Sequence, residues 1–193
     1  MPLTRMRRLA VFTSARPGGC TALIAAIPDS QLSASSVWSP ETADHGVDRS
    51  RLGTIDQGFD TGIGAFATAV NQADEWIQAD LGSIQTVSKI ATQGRNQGLS
   101  GTDHDQWVTS YKLAYSNDGS SFTYILNDDD SERVFTGNSD ADTIVEHTFT
   151  AIYARYVRLY AQTWNNHISL RWELYDCGIS SLSSVEPSYN FIS

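Results

Sequence analysis

Short runs in which apolar and polar residues alternate dominate this chain. In residues 75–81, Ile77, Ala79 and Leu81 fall on one side and polar or mixed residues on the other. The same period of two recurs in residues 111–116, 156–160 and 170–175. A period of two indicates a β-strand with one face buried and one face toward solvent. The pattern therefore predicts several half-buried strands.

Turn-forming residues separate these runs. Asn117-Asp118-Gly119 lies between one predicted strand and the short run Phe122-Thr123-Tyr124, which predicts a β-hairpin. No stretch of ten or more residues shows the 3.6-residue period of an amphipathic helix. Short strands joined by turns favour an all-β sandwich or barrel.

Three long segments do not have a strand pattern: residues 38–71, 94–106 and 161–169. They are rich in Gly, Asp, Asn, His and Thr. Long loops in a compact β domain usually carry function. We therefore expect the three segments to project from one end of the fold and to form its binding site.

The length of 193 residues fits one domain of ordinary size or two small ones. The chain has 13 basic and 22 acidic residues, a net charge of −9. Four arginines lie in residues 1–19, so residues 20–193 hold 9 basic against 22 acidic residues, a net charge of −13. This balance excludes nucleic acid recognised through its phosphates and argues against anionic membrane bound by charge.

The two cysteines, Cys20 and Cys177, bracket nearly all of the strand pattern. They are either a disulfide that ties the ends of one domain together or two unrelated buried thiols. We expect one domain over residues 20–178 and a flexible Ser-rich tail over residues 179–193. Residues 1–19 are expected to be an N-terminal tail. The apolar stretch after its arginines is too short for a full signal peptide. Three interpretations stay open: an incomplete signal or pro-segment, an unconventional export route, or a protein that is not exported.

Five blocks of this sequence follow one another in a recognisable order: residues 27–36, 75–82, 92–95 with 106–112, 154–159 and 169–177. Taken together, these blocks resemble the discoidin domain family, also called the coagulation factor 5/8 type C domain family. Residues 106–112 and 163–171 are most similar to the slime-mould discoidin lectins. Together the blocks extend from Cys20 to Cys177.

The resemblance implies an eight-stranded jelly-roll-like β-sandwich (a galactose-binding-like fold), a Cys20–Cys177 disulfide and protruding binding loops at one end. Members of the family are mainly non-catalytic and commonly serve cell adhesion. They bind galactose-type sugars, anionic phospholipids, collagen or other proteins. A disulfide also implies an extracellular, secreted protein, since such bonds persist in oxidising compartments.

The two partial matches to cofactor- or metal-binding motifs each lack an essential feature. Residues 62–67 fit G-x-G-x-x-A, but no predicted strand precedes them and no long helix follows. Asn138, Asp140 and Asp142 have the spacing that opens an EF-hand loop, yet Thr143 and Phe149 stand where Gly and Glu are needed. We therefore expect no enzyme activity and no cofactor, and the residues leave a structural calcium ion open.

The preferred function is binding of galactose or N-acetylgalactosamine through the loops. Such a site needs an aromatic face for the sugar ring and planar donors and acceptors for its hydroxyls. Arg95 is the candidate donor, and Asp103 and Asp105 are acceptors in the same loop. The remaining candidates are the aromatic residues Trp38, Phe66 and Trp164 and the polar residues Asp44, His45 and Asp56.

Each candidate also has a structural interpretation. Arg95 could hold its loop by an ion pair, Phe66 and Trp164 could pack in the core, and Asp44 and His45 could be solvated loop residues. The sequence does not choose between the two interpretations.

Two other ligand classes stay open. A protein ligand, such as a collagen-like or receptor partner, is compatible with the loops and the charge. Anionic phospholipid ranks lower, because Leu99 is the only apolar side chain in its acidic loop and one leucine contributes about 2 kcal/mol at most. A glycan or glycoprotein remains the preferred partner, and a homo-oligomer would supply the avidity that one weak sugar site lacks.

Overall fold

The computed structural model describes residues 19–38, 44–58, 62–98 and 105–178. These residues form nine strands: β1 Thr21–Ala22, β2 Leu32–Ala34, β3 Phe66–Ala67, β4 Trp76–Gln93, β5 Trp107–Ser116, β6 Thr123–Tyr124, β7 Val134–Thr136, β8 Val145–Asn165 and β9 Ser169–Asp176. Three short 3-10 turns occur at Ile24–Ala26, Asp29–Gln31 and Val47–Ser50. Within these ranges no helix is long and apolar enough to cross a membrane.

The two longest strands, β4 and β8, organise the sandwich. All strand pairs are antiparallel, and the main order is β1-β9-β4-β8-β5-β6, with β2 on β4, β3 on β9 and β7 on β5. The first half of β4 pairs with the second half of β8, and its second half pairs with the start of β8 and with β9. The β4–β8 register shifts between Asp80 and Gln85, and such irregularities bend strands. The all-β prediction is confirmed.

The core follows the predicted alternation. Ile77, Ala79 and Leu81 of β4 are at most 7% exposed. Leu113 of β5 and Leu159 of β8 face each other in register and are equally buried. Burying a side chain of this size contributes about 1.5–3 kcal/mol. The period of two therefore identified the inward faces of these strands correctly.

Two details of the predicted architecture differ from the structure. The segment 161–169 was expected to be a loop, but β8 continues to Asn165 because Trp164 and Asn165 pair with Val108 and Trp107 of β5. The described part of the chain also holds nine strands rather than eight, and three of them have only two residues. The hairpin at residues 117–119 is confirmed by the pairing of Ala114 with Tyr124.

The two ends of the domain meet beside the last strand. Cys20 and Cys177 form a disulfide with an S–S distance of 2.12 Å, so the first of the two interpretations of the cysteines is confirmed. Nearby, the buried carboxylate of Glu173 accepts backbone N–H groups of Leu23, Ile24 and Ala25 at 3.1, 2.5 and 2.9 Å. The predicted tails fall almost entirely on residues 1–18 and 179–193, which lie outside the described residues.

Candidate ligand-binding site

A cleft of about 280 Å³ opens at one end of the sandwich, near the start of β9. Its volume lies close to the lower end of the range for small-molecule sites. Three of the connections between strands contribute to its wall. The lining residues are Trp38, Asp44, His45, Ile63, Ala67, Arg95, Gln106 and His167.

Backbone hydrogen bonds hold the walls of the cleft together. The N–H of Trp38 donates to the carbonyl of Ala67 at 2.9 Å, and the N–H of Ile63 donates to the carbonyl of Asp44 at 2.9 Å. The N–H of Asn96 donates to the carbonyl of Gly64 at 3.1 Å. A Cβ at Gly64 would collide with the backbone of Asn96, so glycine is needed here for the close approach of two loops.

Arg95 lies two residues after β4, and only 5% of it is exposed. Its Nη1 donates to Oε1 of Gln106 at 3.0 Å, and its backbone N–H donates to the carbonyl of the same residue at 2.9 Å. Among the described residues it makes no ion pair, and its Nε has no hydrogen-bond partner. Burial lowers the pKa of Arg95, and the charge of Asp56 acts in the opposite direction. Among the described residues, most donor groups of the guanidinium therefore have no acceptor.

Arg171 of β9 braces the loops that flank the cleft. Its Nε donates to the carbonyl of Gly94 at 2.7 Å and its Nη1 to that of Thr54 at 2.7 Å. Its Nη2 donates to the carbonyl of Ala141 at 2.7 Å and to Oδ1 of Asp142 at 2.8 Å. Since residues 54, 94 and 141 belong to three connections, one side chain fixes their relative positions.

The aromatic wall of the cleft is a tryptophan supported by a histidine. Trp38 is 46% exposed, and its ring meets the ring of His167 edge to face, with centroids 5.2 Å apart. His167 is held on both sides, by the carbonyl of Thr68 at 2.8 Å and by the amide nitrogen of Asn71 at 3.0 Å. The wall therefore presents an aromatic surface in a defined orientation.

The structure brings four of the predicted site residues together: Arg95, Trp38, Asp44 and His45 all line the cleft. Asp56 does not line it and is only 2% exposed. The Asp56 carboxylate accepts the N–H of Gly58 at 2.7 Å and influences Arg95 through its charge.

Asp105 does not line the cleft. Its carboxylate accepts Nε2 of Gln97 at 2.8 Å, and its carbonyl accepts the side-chain amides of Asn165 and Asn166 at 2.6 and 2.8 Å. Asp105 thus fastens the turn after β8 to the loop before β5. These contacts hold the loop in place, and the contact of Asp105 with a sugar hydroxyl stays a prediction.

Two predicted aromatic residues also lie away from the cleft. Phe66 is 1% exposed and belongs to the hydrophobic core, so its ring is not available to a ligand. Trp164 is partly buried and packs against the core from β8, because the strand continues where a loop was expected. Asp103, the second predicted acceptor, lies outside the described residues, as does Leu99.

Sequence reasoning did not select Gln106 and His167 as site residues. Both stand inside blocks that carry the resemblance, and Gln106 directly follows Asp105, which was selected. The feature that could have identified them is their position in the sequence, since each lies close to where a predicted loop meets a strand. Within the described ranges, no group of three His, Cys, Asp or Glu side chains is arranged to hold a metal ion.

Comparisons with known proteins agree on one family. The model of the F5/8 type C domain matches residues 31–174. Lactadherin of Mus musculus is 40% identical over 154 residues, which cover 78% of this chain and 31% of the relative. The chain therefore spans about a third of the length of that relative.

Solved structures show the same fold. Recombinant discoidin II of Dictyostelium discoideum has a TM-score of 0.67 at 34% identity, covering 86% of this chain and 62% of that one. The family 32 carbohydrate-binding module of Clostridium perfringens NanJ, solved in complex with galactose, has a TM-score of 0.54 at 18% identity, covering 81% and 99%. The latter likeness is one of fold alone. On the family match and the discoidin II structure, the chain belongs to the F5/8 type C (discoidin) domain family.

Proposed function

We propose that this chain is a non-catalytic recognition module that binds neutral galactose-type sugars in the cleft. The observation that carries the proposal is Arg95, a buried guanidinium with one side-chain acceptor among the described residues. Buried polar groups are normally satisfied, so an exception at a cleft needs an explanation. A ligand with several hydroxyl oxygens would supply the missing acceptors.

The other walls fit the same ligand. The exposed ring of Trp38 offers an apolar surface for one face of a sugar ring, and Asp44 and His45 offer polar groups for hydroxyls. The net charge of −9 favours a neutral ligand over an anionic one. A clostridial module of this fold was solved in complex with galactose, which makes galactose and N-acetylgalactosamine the first sugars to test.

The Cys20–Cys177 disulfide supports a secreted protein that works in an oxidising environment. In that setting a sugar-binding module would recognise glycans on cell surfaces or on secreted glycoproteins. A single cleft of this size binds weakly, so adhesion would require several copies that act together.

The test is calorimetric titration of the intact chain with galactose, with N-acetylgalactosamine and with glucose as the comparison sugar. We expect saturable binding of the first two, which Trp38→Ala abolishes. Tyr153→Ala is the matched control, because Tyr153 is 56% exposed on β8 and does not line the cleft. Absence of binding to either sugar, with and without added calcium, would contradict the proposal.

Phosphatidylserine vesicles and a collagen-coated surface serve as alternative probes in the same experiment. If the chain binds vesicles or collagen and no sugar, the cleft does not serve the proposed ligand. Leu99→Asp would then show whether the loop between β4 and β5 takes part.

A further inference from the structure

The imidazole of His167 has a defined protonation state. Its Nε2 lies 2.8 Å from the carbonyl oxygen of Thr68. A carbonyl oxygen can only accept, so Nε2 carries a proton. Its Nδ1 lies 3.0 Å from Nδ2 of Asn71. The state of Nδ1 depends on which way the Asn71 amide is oriented.

The backbone fixes that orientation. The N–H of Ile168 donates to Oδ1 of Asn71 at 2.8 Å. The NH₂ group of Asn71 therefore points to the ring, and it also donates to the carbonyl of Asn166 at 3.2 Å. An amide NH₂ only donates, so Nδ1 of His167 must be an unprotonated acceptor. The surroundings accommodate the neutral imidazole with its proton on Nε2.

The same ring supports the ligand-facing tryptophan. Trp38 and His167 meet edge to face with an interplanar angle of 84°. Proton uptake at Nδ1 would place its N–H against the NH₂ group of Asn71. Rotation of the Asn71 amide cannot relieve this clash, because its Oδ1 accepts the N–H of Ile168. The imidazole would then have to leave its position, and Trp38 would lose the contact that orients it.

We propose that His167 is a positioning residue that holds Trp38 for the ligand only while its imidazole is neutral, so that sugar binding weakens on acidification. This inference rests on the proposed function of the same cleft. Imidazole is the side chain that ordinarily gains a proton as the pH falls from 8 to 5. A protein with this coupling would bind its glycan at neutral pH and release it in a mildly acidic compartment.

Other charged groups surround the ring, but the hydrogen bond to Asn71 sets the direction of the effect. Within the described residues, the groups that share the cleft with His167 are Asp44, His45 and Arg95. On the neighbouring segments, the carboxylate of Asp105 is bonded to Gln97, and that of Glu75 is bonded to Ser35, Ser36 and Gln72. Within the described residues, neither of these two carboxylates is hydrogen-bonded to Nδ1, which faces the amide donor of Asn71.

Asn71→Asp is the variant that separates this coupling from a general effect of pH. A carboxylate at position 71 would still accept the N–H of Ile168 and would also accept a proton-bearing Nδ1. Galactose dissociation constants are measured by calorimetry from pH 8 to 5 for both proteins. We expect the wild-type affinity to fall about three- to tenfold, which corresponds to the loss of one edge-to-face aromatic contact. The Asn71→Asp protein should bind better at pH 5 than at pH 8.

Two results would overturn the inference while leaving sugar binding intact: a wild-type affinity that does not change with pH, or the same downward slope in both proteins. Asn71→Ser, which removes the donor and adds no charge, should flatten the slope and covers the case in which Asn71→Asp does not fold.

A second measurement needs no sugar. Nitrogen-15 NMR of the histidine side chains at pH 8 should show His167 as the Nε2–H tautomer, and acidification should shift the indole signal of Trp38 in the wild type far more than in Asn71→Asp. An Nδ1–H tautomer, or a Trp38 signal with no such response, would refute the inference. If both NMR results are as expected and galactose still does not bind, the proposed function fails and the coupling between His167 and Trp38 stands.

Discussion

Arg95 and Arg171 are two buried arginines at the same end of the sandwich, and they differ in what surrounds them. They are 5% and 2% exposed. All three nitrogens of the Arg171 guanidinium have acceptors, namely three backbone carbonyls and the carboxylate of Asp142. Arg95 has Gln106 as its only side-chain acceptor among the described residues.

The difference separates a structural arginine from one that can serve a ligand. Burial lowers the pKa of both, which means that both charges have lost hydration. Arg171 recovers that loss through hydrogen bonds within the fold. Among the described residues Arg95 has one side-chain acceptor, so acceptors on a ligand can still gain from its donors. Burial of a cation is therefore a poor guide to its role, and the count of its acceptors is a better one.

The largest effect is expected for Arg171→Met, which removes the donors to the carbonyls of residues 54, 94 and 141 and to the carboxylate of Asp142. We expect the free energy of unfolding, measured by urea denaturation, to fall by about 3–5 kcal/mol, because four hydrogen bonds from a charged donor are lost. Arg133→Met is the matched control, because Arg133 lies over the ring of Phe135 at 4.4 Å and has no side-chain acceptor in the described structure. It should cost less than about 1 kcal/mol. Equal losses in the two variants would contradict the structural assignment of Arg171.

Arg95→Met should affect ligand binding rather than the stability of the fold. Affinity for galactose is expected to fall by about 10- to 100-fold, since a hydrogen bond to a charged group contributes about 1.5–3 kcal/mol. Its unfolding free energy should change by no more than about 1 kcal/mol, because the residue makes few contacts that stabilise the fold. Calorimetric titration and urea denaturation of the same preparation measure both quantities. A loss of stability as large as that of Arg171→Met would make Arg95 a structural residue.

Gln106→Glu tests whether the number and charge of the acceptors around the guanidinium account for the difference between Arg95 and Arg171. The substitution gives Arg95 a carboxylate at the position of its present amide acceptor, 3.0 Å from Nη1. Arg95 would then have a carboxylate acceptor, as Arg171 does. We expect galactose affinity to fall about tenfold, because the ligand would lose one charge-assisted interaction with Arg95. Stability should be unchanged or slightly higher. Unaltered galactose affinity would show that the donor capacity of Arg95 is not what the ligand uses.

The smallest effect is expected at Glu173, a buried residue whose charge is opposite to that of the two arginines. Burial raises its pKa, and the N–H groups of residues 23–25 and 174 partly offset the rise. An acid whose folded pKa is raised contributes stability below its ordinary pKa and loses that contribution as pH rises through the folded value. Glu173→Gln should therefore flatten the decline of unfolding free energy as the pH rises above about 4.3, the ordinary pKa of a glutamic acid. Urea denaturation at four pH values measures it, and an unchanged slope would contradict the assignment.

The sequence was sufficient to predict the strands and part of the site. A period of two identified the buried faces of β4, β5 and β8, because paired residues of these neighbouring strands place their hydrophobic side chains side by side on the face that covers the core. Arg95, Trp38, Asp44 and His45 were found by their presence in predicted loops. These inferences depend on the order of residues within short segments, which folding does not change.

The remaining features depend on contacts between distant segments. The alternation in β9 predicted that Arg171 and Glu173 face solvent, yet they are 2% and 4% exposed. That prediction was wrong because loops from residues 54, 94 and 141 and the segment 23–25 cover the second face of the strand. The same kind of contact brings His167 beside Trp38, and no local pattern reports it.

The position of the disulfide has a mechanical consequence. The cleft lies at the start of β9, and Cys177 directly follows its last residue, eight residues or about 25 Å away. When the segments outside Cys20 and Cys177 are pulled apart, the force passes through the covalent bond between the two cysteines, and the strands between them carry little of it. Tension between the two flanking segments would therefore leave the shape of the cleft unchanged.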